Sequence, residues 1–398
     1  MDLILFDVPE VAEQLQPFTF TRPVSHIRTG ILTQRERWEL LMGTGSKVFA
    51  SKDLTPVWPR PESGYGLWVN ASWIPAPGDA DRVAALKPGS GLESHGRLLA
   101  YHVSEQDEFD PVSAEIEHLS NLTTLNEVRY LSRPWEIFSW NGALIRFDFQ
   151  IITKNRLSKE LPDSHTIVYG RENIFIEEGV KIKAAIINAE GGPVYIGKNA
   201  EIQEGSIIRG PFALLEGSVV NMGAKIRPDT TVGPGCKVGG EISNAVFFGF
   251  ANKAHDGFLG NSVIGEWCNL GADSNNSNLK NNYGEVKIYG FREKEMIGTG
   301  LQFCGLMMGD HSKCGINTMF NTGTVTGVGC NIFDAGFPPK QIQNFSWGGA
   351  SEGFEIYRFD KFLEAETRVL SRRNKTFSEG QIEILKQLHR GAESYSLL

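Results

Sequence analysis

Residues 165–348 of this 398-residue chain predict a parallel β-helix built from hexapeptide repeats, and three columns held in one register predict it. Counting every sixth residue gives Ile196, Ile202, Ile208, Leu214, Val220, Ile226, Val232 and Val238, all aliphatic. Three residues further on stand Asn199, Gly205, Pro211, Gly217, Gly223, Asp229 and Gly235, residue types that turn a chain cheaply. The next column, Ala200, Ser206, Phe212, Ser218, Ala224, Thr230 and Cys236, is small except at Phe212. A helix has no reason to repeat every six residues. Short strands joined by tight turns do: one aliphatic points inward, one residue bends, one small residue packs at the corner.

The elements follow in order. Composition changes near residue 165, with tryptophan and charge before it and glycine and β-branched residues after it, so a front unit is expected over 1–160. The repeat is interrupted at Gly239–Asn244 and is expected to resume as Val246, Asn252, Phe258, Ile264 and Leu270. A second interruption, ADSNNSNLKNNYGEVKIYGFREKEMIGTG, is too polar for a core and predicts a protruding loop with a short return strand. The pattern returns as Met308, Cys314, Phe320, Thr326 and Ile332, with Ser312, Thr318, Thr324 and Cys330 in the small column. Function is expected in the irregular stretches, because the regular coils are occupied with packing. Residues 350–398 predict a helical tail: FDKFLEAETRVLSRR has helical apolar spacing, and Ser378 with Gln381 forms a capping box at a second helix. Covering the open edge of the last coil is the structural role expected of that tail.

Bulk properties exclude several classes. With 39 basic against 47 acidic residues and a net charge of −8, a nucleic-acid surface or a polybasic membrane patch is not expected. No apolar run approaches the ~20 residues of a membrane span, and the opening MDLILFDVPEVAEQL is acidic, so a cytoplasmic protein is expected. Cys236, Cys268, Cys304, Cys314 and Cys330 are widely spaced and form no CxxC pair, which points to core packing and to neither disulfides nor a metal site.

KIRPDTTVGPGCKVGGEI, KAHDGFLGNSVIGEWCNLGADSNNSNL and MGDHSKCGINTMFNTGTVTG resemble the bifunctional GlmU-like family, in which a glucosamine-1-phosphate N-acetyltransferase is joined to a UDP-N-acetylglucosamine pyrophosphorylase. More closely, the whole chain resembles a shorter, divergent branch of sugar nucleotidyltransferases. The resemblance implies a left-handed β-helix, a homotrimer with sites between neighbours, acetyl-CoA as co-substrate and an amino-sugar 1-phosphate as acceptor. It also implies that His255, just before Phe258-Leu259-Gly260, is the general base. Read from the residues alone, His255 falls in a turn column and should face outward, where an imidazole can reach a substrate and act as a base. His311 also falls in the turn column.

An amino-sugar phosphate brings a dianion and an amine, so its site needs cations and amide groups. By the resemblance Arg227 holds the phosphate, with Lys225 two residues before it, and Asn269 and Asn278 contact the sugar and the reacting groups. Departures concern the substrate: Ser243 stands at the family's lysine, Phe258 lacks the hydroxyl of the family's tyrosine, and Leu279 follows Asn278. Lys253, two residues before His255, is expected to replace the missing cation.

Over residues 1–160 the resemblance to the nucleotidyltransferase domain is fragmentary and implies a reduced α/β fold: LILFD opens as its first strand, LQPFTFTRPVSHIRTGI is similar to the segment after its nucleotide loop, and YGLWVNASWIP to the strand that delivers its metal-binding aspartate. The glycine-rich loop is absent, which leaves Arg22 and Arg28 to hold phosphate. Asn70 stands near the position of the missing carboxylate, and Asp7 and Asp148 are the acidic candidates for Mg2+. Three functions are therefore carried forward: acyl transfer, nucleotidyl transfer from UTP or TTP, and a non-catalytic trimeric scaffold. The repeat array is expected to fold without the front unit.

Overall fold

The computed structural model describes residues 2–61, 64–105, 109–112, 119 and 121–395. In the front unit the strands Asp2–Phe6, Ser46–Phe49 and Gly66–Asn70 pair in parallel, with Asp2–Phe6 in the centre. Arg97–Val103, Gly91–Ser94 and Leu122–Thr124 extend the sheet on the Gly66–Asn70 side. The central strands Asp2–Phe6 and Gly66–Asn70 are buried on both faces, which explains the continuous apolar run of Leu3, Ile4, Leu5 and Phe6. Helices α1 (Pro9–Gln14), α2 (Gln34–Met42) and α3 (Asp79–Ala84) accompany the sheet. Thr33 and Glu36 close a capping box on α2, and Gly43 ends it in the left-handed conformation. Helices α4 (Glu136–Ser139) and α5 (Asn141–Thr153) lead toward the solenoid.

The second part is a three-sided parallel β-helix. One ladder runs through Val194–Ile196, Phe212–Leu214 and Thr230–Val232, a second through Glu201–Ile202, Val219–Val220 and Lys237–Val238, and a third through Ile186–Asn188, Ile207–Arg209 and Lys225–Ile226. The aliphatic column from Ile196 to Val238 lies wholly inside. Apart from Pro211, the turn column adopts positive φ, as at Asn199 (55°) and Asp229 (61°), and the next column packs buried at the corners.

After Val238 the expected register is off by one. The strand Glu241–Phe247 spans two sides of the prism, and Ala245 and Phe247 point into the solenoid while Val246 faces the front unit. In the next two strands Lys253 and Leu259 take the inward positions expected of Asn252 and Phe258. Side chains alternate along a strand, so a one-residue change in coil length exchanges inside for outside. Ile264 and Leu270 are inward, as is the returning series Met308, Cys314, Phe320, Thr326 and Ile332.

The front unit and the solenoid share a core. Val246, Phe248, Val263, Met307 and Val325, on the outer face of one ladder, pack in one apolar cluster with Leu3, Trp38, Leu144 and Phe138. The second interruption forms a hairpin, Lys287–Gly290 with Glu295–Gly298, that does not protrude: Val286 and Ile288 join the same cluster, and Arg133 pairs with Glu293 at 2.6 Å. Residues 1–160 thus cover an apolar flank of the solenoid that water would otherwise reach, which weighs against the expectation that the array folds without them.

Helices α6 (Phe359–Ser371) and α7 (Glu379–Tyr395) form as expected, with the Ser378–Gln381 capping box present. Their placement differs from the expected end cap. Glu366 of α6 is buried and accepts from His311 Nδ1 at 2.8 Å and from the Lys313 ammonium, which pins the helix along the solenoid flank. Ile384 of α7 packs with Val48, Ala50 and Leu54 of the front unit. The last coil is instead followed by an antiparallel hairpin, Ser346–Gly349 with Gly353–Ile356.

Candidate functional site

His255 lies in the bend 255–257, where the chain passes from the strand Asn252–Lys253 on one side of the prism to Phe258–Ile264 on the next. The bend is tied on every side. Asn221 Nδ2 donates to the Ala254 carbonyl at 2.8 Å, Glu241 N to the Gly257 carbonyl at 3.1 Å, and Phe258 N to Asn275 Oδ1 at 2.7 Å. The imidazole is exposed and has no hydrogen-bond or ion-pair partner among the described residues. It stands between two clefts. The larger, about 600 Å³, is lined by Lys237, Asn252, Asn269, Trp267 and, from the end of α6, Arg372 and Arg373. The smaller holds Asn221, Gly240 and Asp256.

The corner divides the expected residues. Asn269 shares the larger cleft with His255. Lys225, Arg227, Phe258 and Asn278 lie around the corner: Lys225, Glu241 and Phe258 are register partners on successive coils, and Arg227 Nε pairs with Glu241 at 2.8 Å. A Cβ at Gly260 would come within 2.5 Å of Phe258 Cζ and 2.8 Å of Asn278 Nδ2, so glycine is what allows those two side chains to meet. Asn278 Nδ2 donates to Asn261 Oδ1 at 2.8 Å.

Lys253 is a correction. It is 1% exposed and turned into the solenoid, its ammonium donating to the carbonyls of His255 at 2.6 Å and Asp256 at 2.8 Å, so it is no surface cation for a substrate. Burial pushes its pKa down to about 8. Lys237, Arg372 and Arg373, absent from the sequence reading, supply cations beside His255; the paired arginines ending the FDKFLEAETRVLSRR helix were the available signal.

Of the front-unit candidates, Arg22 and Arg28 line a second cavity of about 600 Å³ together with His26, Arg35 and Lys375, and Arg22 Nη1 and Arg28 Nε have no hydrogen-bond partner among the described residues, whereas Asn70, Asp148 and Asp7 are held inside the fold. Arg22 is buried between Asp310, which it bonds, and Glu266 at 3.6 Å, with its guanidinium 4.9 Å from the Phe248 ring; it joins the front unit to the solenoid. Arg28 is buried against the Ile31 carbonyl at 2.5 Å and Glu36 at 3.3 Å. Asn70 is spent inside the fold, donating to the Leu98 carbonyl and accepting from Ser72. Asp148 forms a two-pronged pair with Arg37 at 2.8 and 2.9 Å and accepts from Ile31 N and Leu32 N. Asp7 is 3% exposed, accepts from Val24 N, and is pushed up to about 7 by burial. Mg2+ needs several carboxylate or water oxygens in an open octahedral shell. A lone buried Asp7 and an arginine-bound Asp148 do not fit it, and no group of three or more metal-ligating side chains occurs among the described residues.

A hexapeptide β-helix that presents an unpartnered histidine at an open, amide- and cation-lined corner defines an acyltransferase solenoid. The comparisons agree. Residues 3–157 match the family model described as sugar nucleotidyl transferase. The uncharacterized acetyltransferase YaiX of Escherichia coli K12 is 31% identical over 179 residues, 44% of this chain and 74% of that protein. A bifunctional sugar-1-phosphate nucleotidylyltransferase/acetyltransferase of Sulfurisphaera tokodaii is 31% identical over 160 residues, 40% of this chain and 37% of that one. The bifunctional protein GlmU of Methanocaldococcus jannaschii is 28% identical over 232 residues, 48% of this chain and 55% of that one. The chain belongs to the GlmU-like family, which joins a sugar nucleotidyl transferase domain to an acetyltransferase, and it is an acyltransferase.

Proposed function

We propose that the chain transfers an acetyl group from acetyl-CoA to the amine of an amino-sugar 1-phosphate, with His255 as general base. The observation that carries this reading is the free imidazole on a tied bend, beside Asn269 and three cations in a cleft of about 600 Å³. The acceptor nitrogen attacks the thioester carbonyl carbon, His255 takes the proton the nitrogen sheds, the C–S bond breaks, and the proton passes to the departing thiolate. Arg227 and Lys225, on the adjoining side of the corner, are the phosphate ligands in this reading, and Phe258, Asn269 and Asn278 border the sugar. In the assay, thiol release from acetyl-CoA is followed with glucosamine-1-phosphate as acceptor. His255→Ala is expected to lower kcat by about 10²–10⁴-fold with little change in acceptor KM. Because the ring is exposed and makes no hydrogen bond or ion pair among the described residues, its loss is expected to change stability by no more than roughly 1 kcal/mol. Full activity in the variant removes His255 as the base, and an unfolded variant makes it structural.

The reading includes a homotrimer in the cytoplasm. Ile167, Ile186 and Ile207 form an outward apolar column, Ile167 and Ile207 exposed, in register with Lys225, Glu241 and Phe258, so a neighbour seated on the isoleucines would border the corner. The five free, buried cysteines suit a reducing compartment. No helix among the described residues is long and apolar enough to cross a membrane. A species of 44.0 kDa by light scattering at micromolar concentration would count against the trimer.

A further inference from the structure

One side of the prism carries the inward series Ile182, Ile202, Val220, Val238, Lys253, Leu270, Cys314 and Ile332 on successive coils. Seven of these side chains are aliphatic or a thiol; the eighth is a lysine. Lys253 pairs in register with Val238 and sits as deep. No carboxylate bonds its ammonium: Nζ donates to two backbone carbonyls, those of His255 and Asp256. An ammonium placed where every neighbouring coil keeps an apolar group is a cost to folding, and burial accordingly depresses its pKa. A local rule broken inside an otherwise consistent repeat calls for a gain elsewhere. The two carbonyls it binds belong to the bend that presents the imidazole, and the carbonyls on either side of them, those of Ala254 and Gly257, already accept from Asn221 and Glu241.

We propose that Lys253 is a positioning residue for His255: an inward ammonium that ties the 255–256 carbonyls and so fixes where the imidazole meets the substrate. The inference rests on the acyl-transfer reading above. It differs in kind from the substrate-facing role expected of this lysine, since the ammonium never meets the ligand. Orientation of a catalytic group by a bonded neighbour matters because small misplacements of reacting atoms cost large factors in rate.

The test is Lys253→Met in the full chain, a substitution that returns an apolar side chain of similar length to the inward column. Expected are a kcat for acetyl transfer lowered by about 10²-fold, unchanged KM values, and a melting temperature equal to or above that of the parent. In a His255→Ala background the same substitution is expected to change kcat no further. The His255 Cε1–H resonance is expected to shift while those of the other histidines stay in place. Parent-level kcat in Lys253→Met, or a loss that persists undiminished in the His255→Ala background, overturns the proposal. If His255→Ala itself keeps full activity, the base reading fails; an unmoved His255 resonance in Lys253→Met then sinks the positioning tie separately.

Discussion

The coil from Thr230 to Val238 and the coil stacked on it, from Ala245 to Lys253, are neighbours in the same ladders and follow opposite rules. In the first, inward positions are apolar or small, and the outward Lys237 is solvated. In the second, the outward Val246 lies under the front unit, as its register partner Thr231 does in the first, but the inward Lys253 is charged and the next residues form the His255 bend. The repeat is a packing device that any coil can satisfy alone. Where it is broken, the departures answer to something outside the coil: a second unit and a bent backbone.

The largest effect that separates the two coils comes from removing residues 1–160. The outer flank at Val246, Phe248, Val263, Met307 and Val325 would be bared, whereas the coils carrying Lys225 and Lys237 would keep their solvent faces. Residues 165–398 alone are expected to aggregate, and replacing Val246 and Phe248 by polar residues in that fragment to recover part of the soluble yield. A soluble fragment with full β circular dichroism and no such substitutions breaks the distinction.

Next comes Ile226→Ala, which hollows a regular coil where the side chain is sealed among its stacked neighbours. It is expected to cost about 2–5 kcal/mol by denaturant unfolding. His255→Ala, one coil further, is expected to cost no more than about 1 kcal/mol while lowering kcat by about 10²–10⁴-fold. Equal stability losses at the two positions would erase the contrast between packing residues and presented residues.

These expectations follow from how much of the molecule its residues disclose. The inward column from Ile196 to Val238 is legible because each position obeys one local rule, polar or bulky exceptions being absent. Beyond Gly239 a shortened coil changes the alternation by one residue, so Val246 and Lys253 exchange the sides expected of them, and no six-residue count detects this. The exposed place of His255 survived the slip because the whole bend faces outward. Arg22 was readable as a cation but not as the partner of Asp310, 288 residues away, since only the docking of the front unit brings them together. Asp148 and Arg37 illustrate the same point: both were charges in sequence, and their union is a property of the fold.

A smaller effect compares Lys253 with the other buried group held away from its ordinary titration, Asp7. Burial raises the Asp7 pKa to about 7, so between pH 4 and 7 the folded chain binds a proton that the unfolded chain has released. Stability contributed at this position is complete below pH 4 and is lost as pH rises through 7. Asp7→Asn mimics the protonated form and keeps the acceptor for Val24 N. The variant is expected to match the parent near pH 4 and to be more stable above pH 7 by up to roughly 4 kcal/mol, read from urea midpoints across the range. A gap that fails to open with rising pH would show Asp7 ionised at no cost.

The smallest expected effect on stability lies on the far side of the corner, at Arg227. Its side chain is 62% exposed and its pair with Glu241 is half in water, so the ion pair is worth at most about 1 kcal/mol. Arg227→Ala should therefore leave the urea midpoint almost unmoved. If this guanidinium holds the acceptor's phosphate, a charge-assisted contact made equally in the ground state and the transition state is lost, which raises acceptor KM and leaves kcat near the parent value. A rise of roughly 10-fold in KM corresponds to about 1.4 kcal/mol. The acetyl-CoA KM serves as the internal control, because the proposed function gives Arg227 no contact with that substrate. If acceptor KM is unchanged and acetyl-CoA KM rises instead, Arg227 is not a ligand of the acceptor's phosphate.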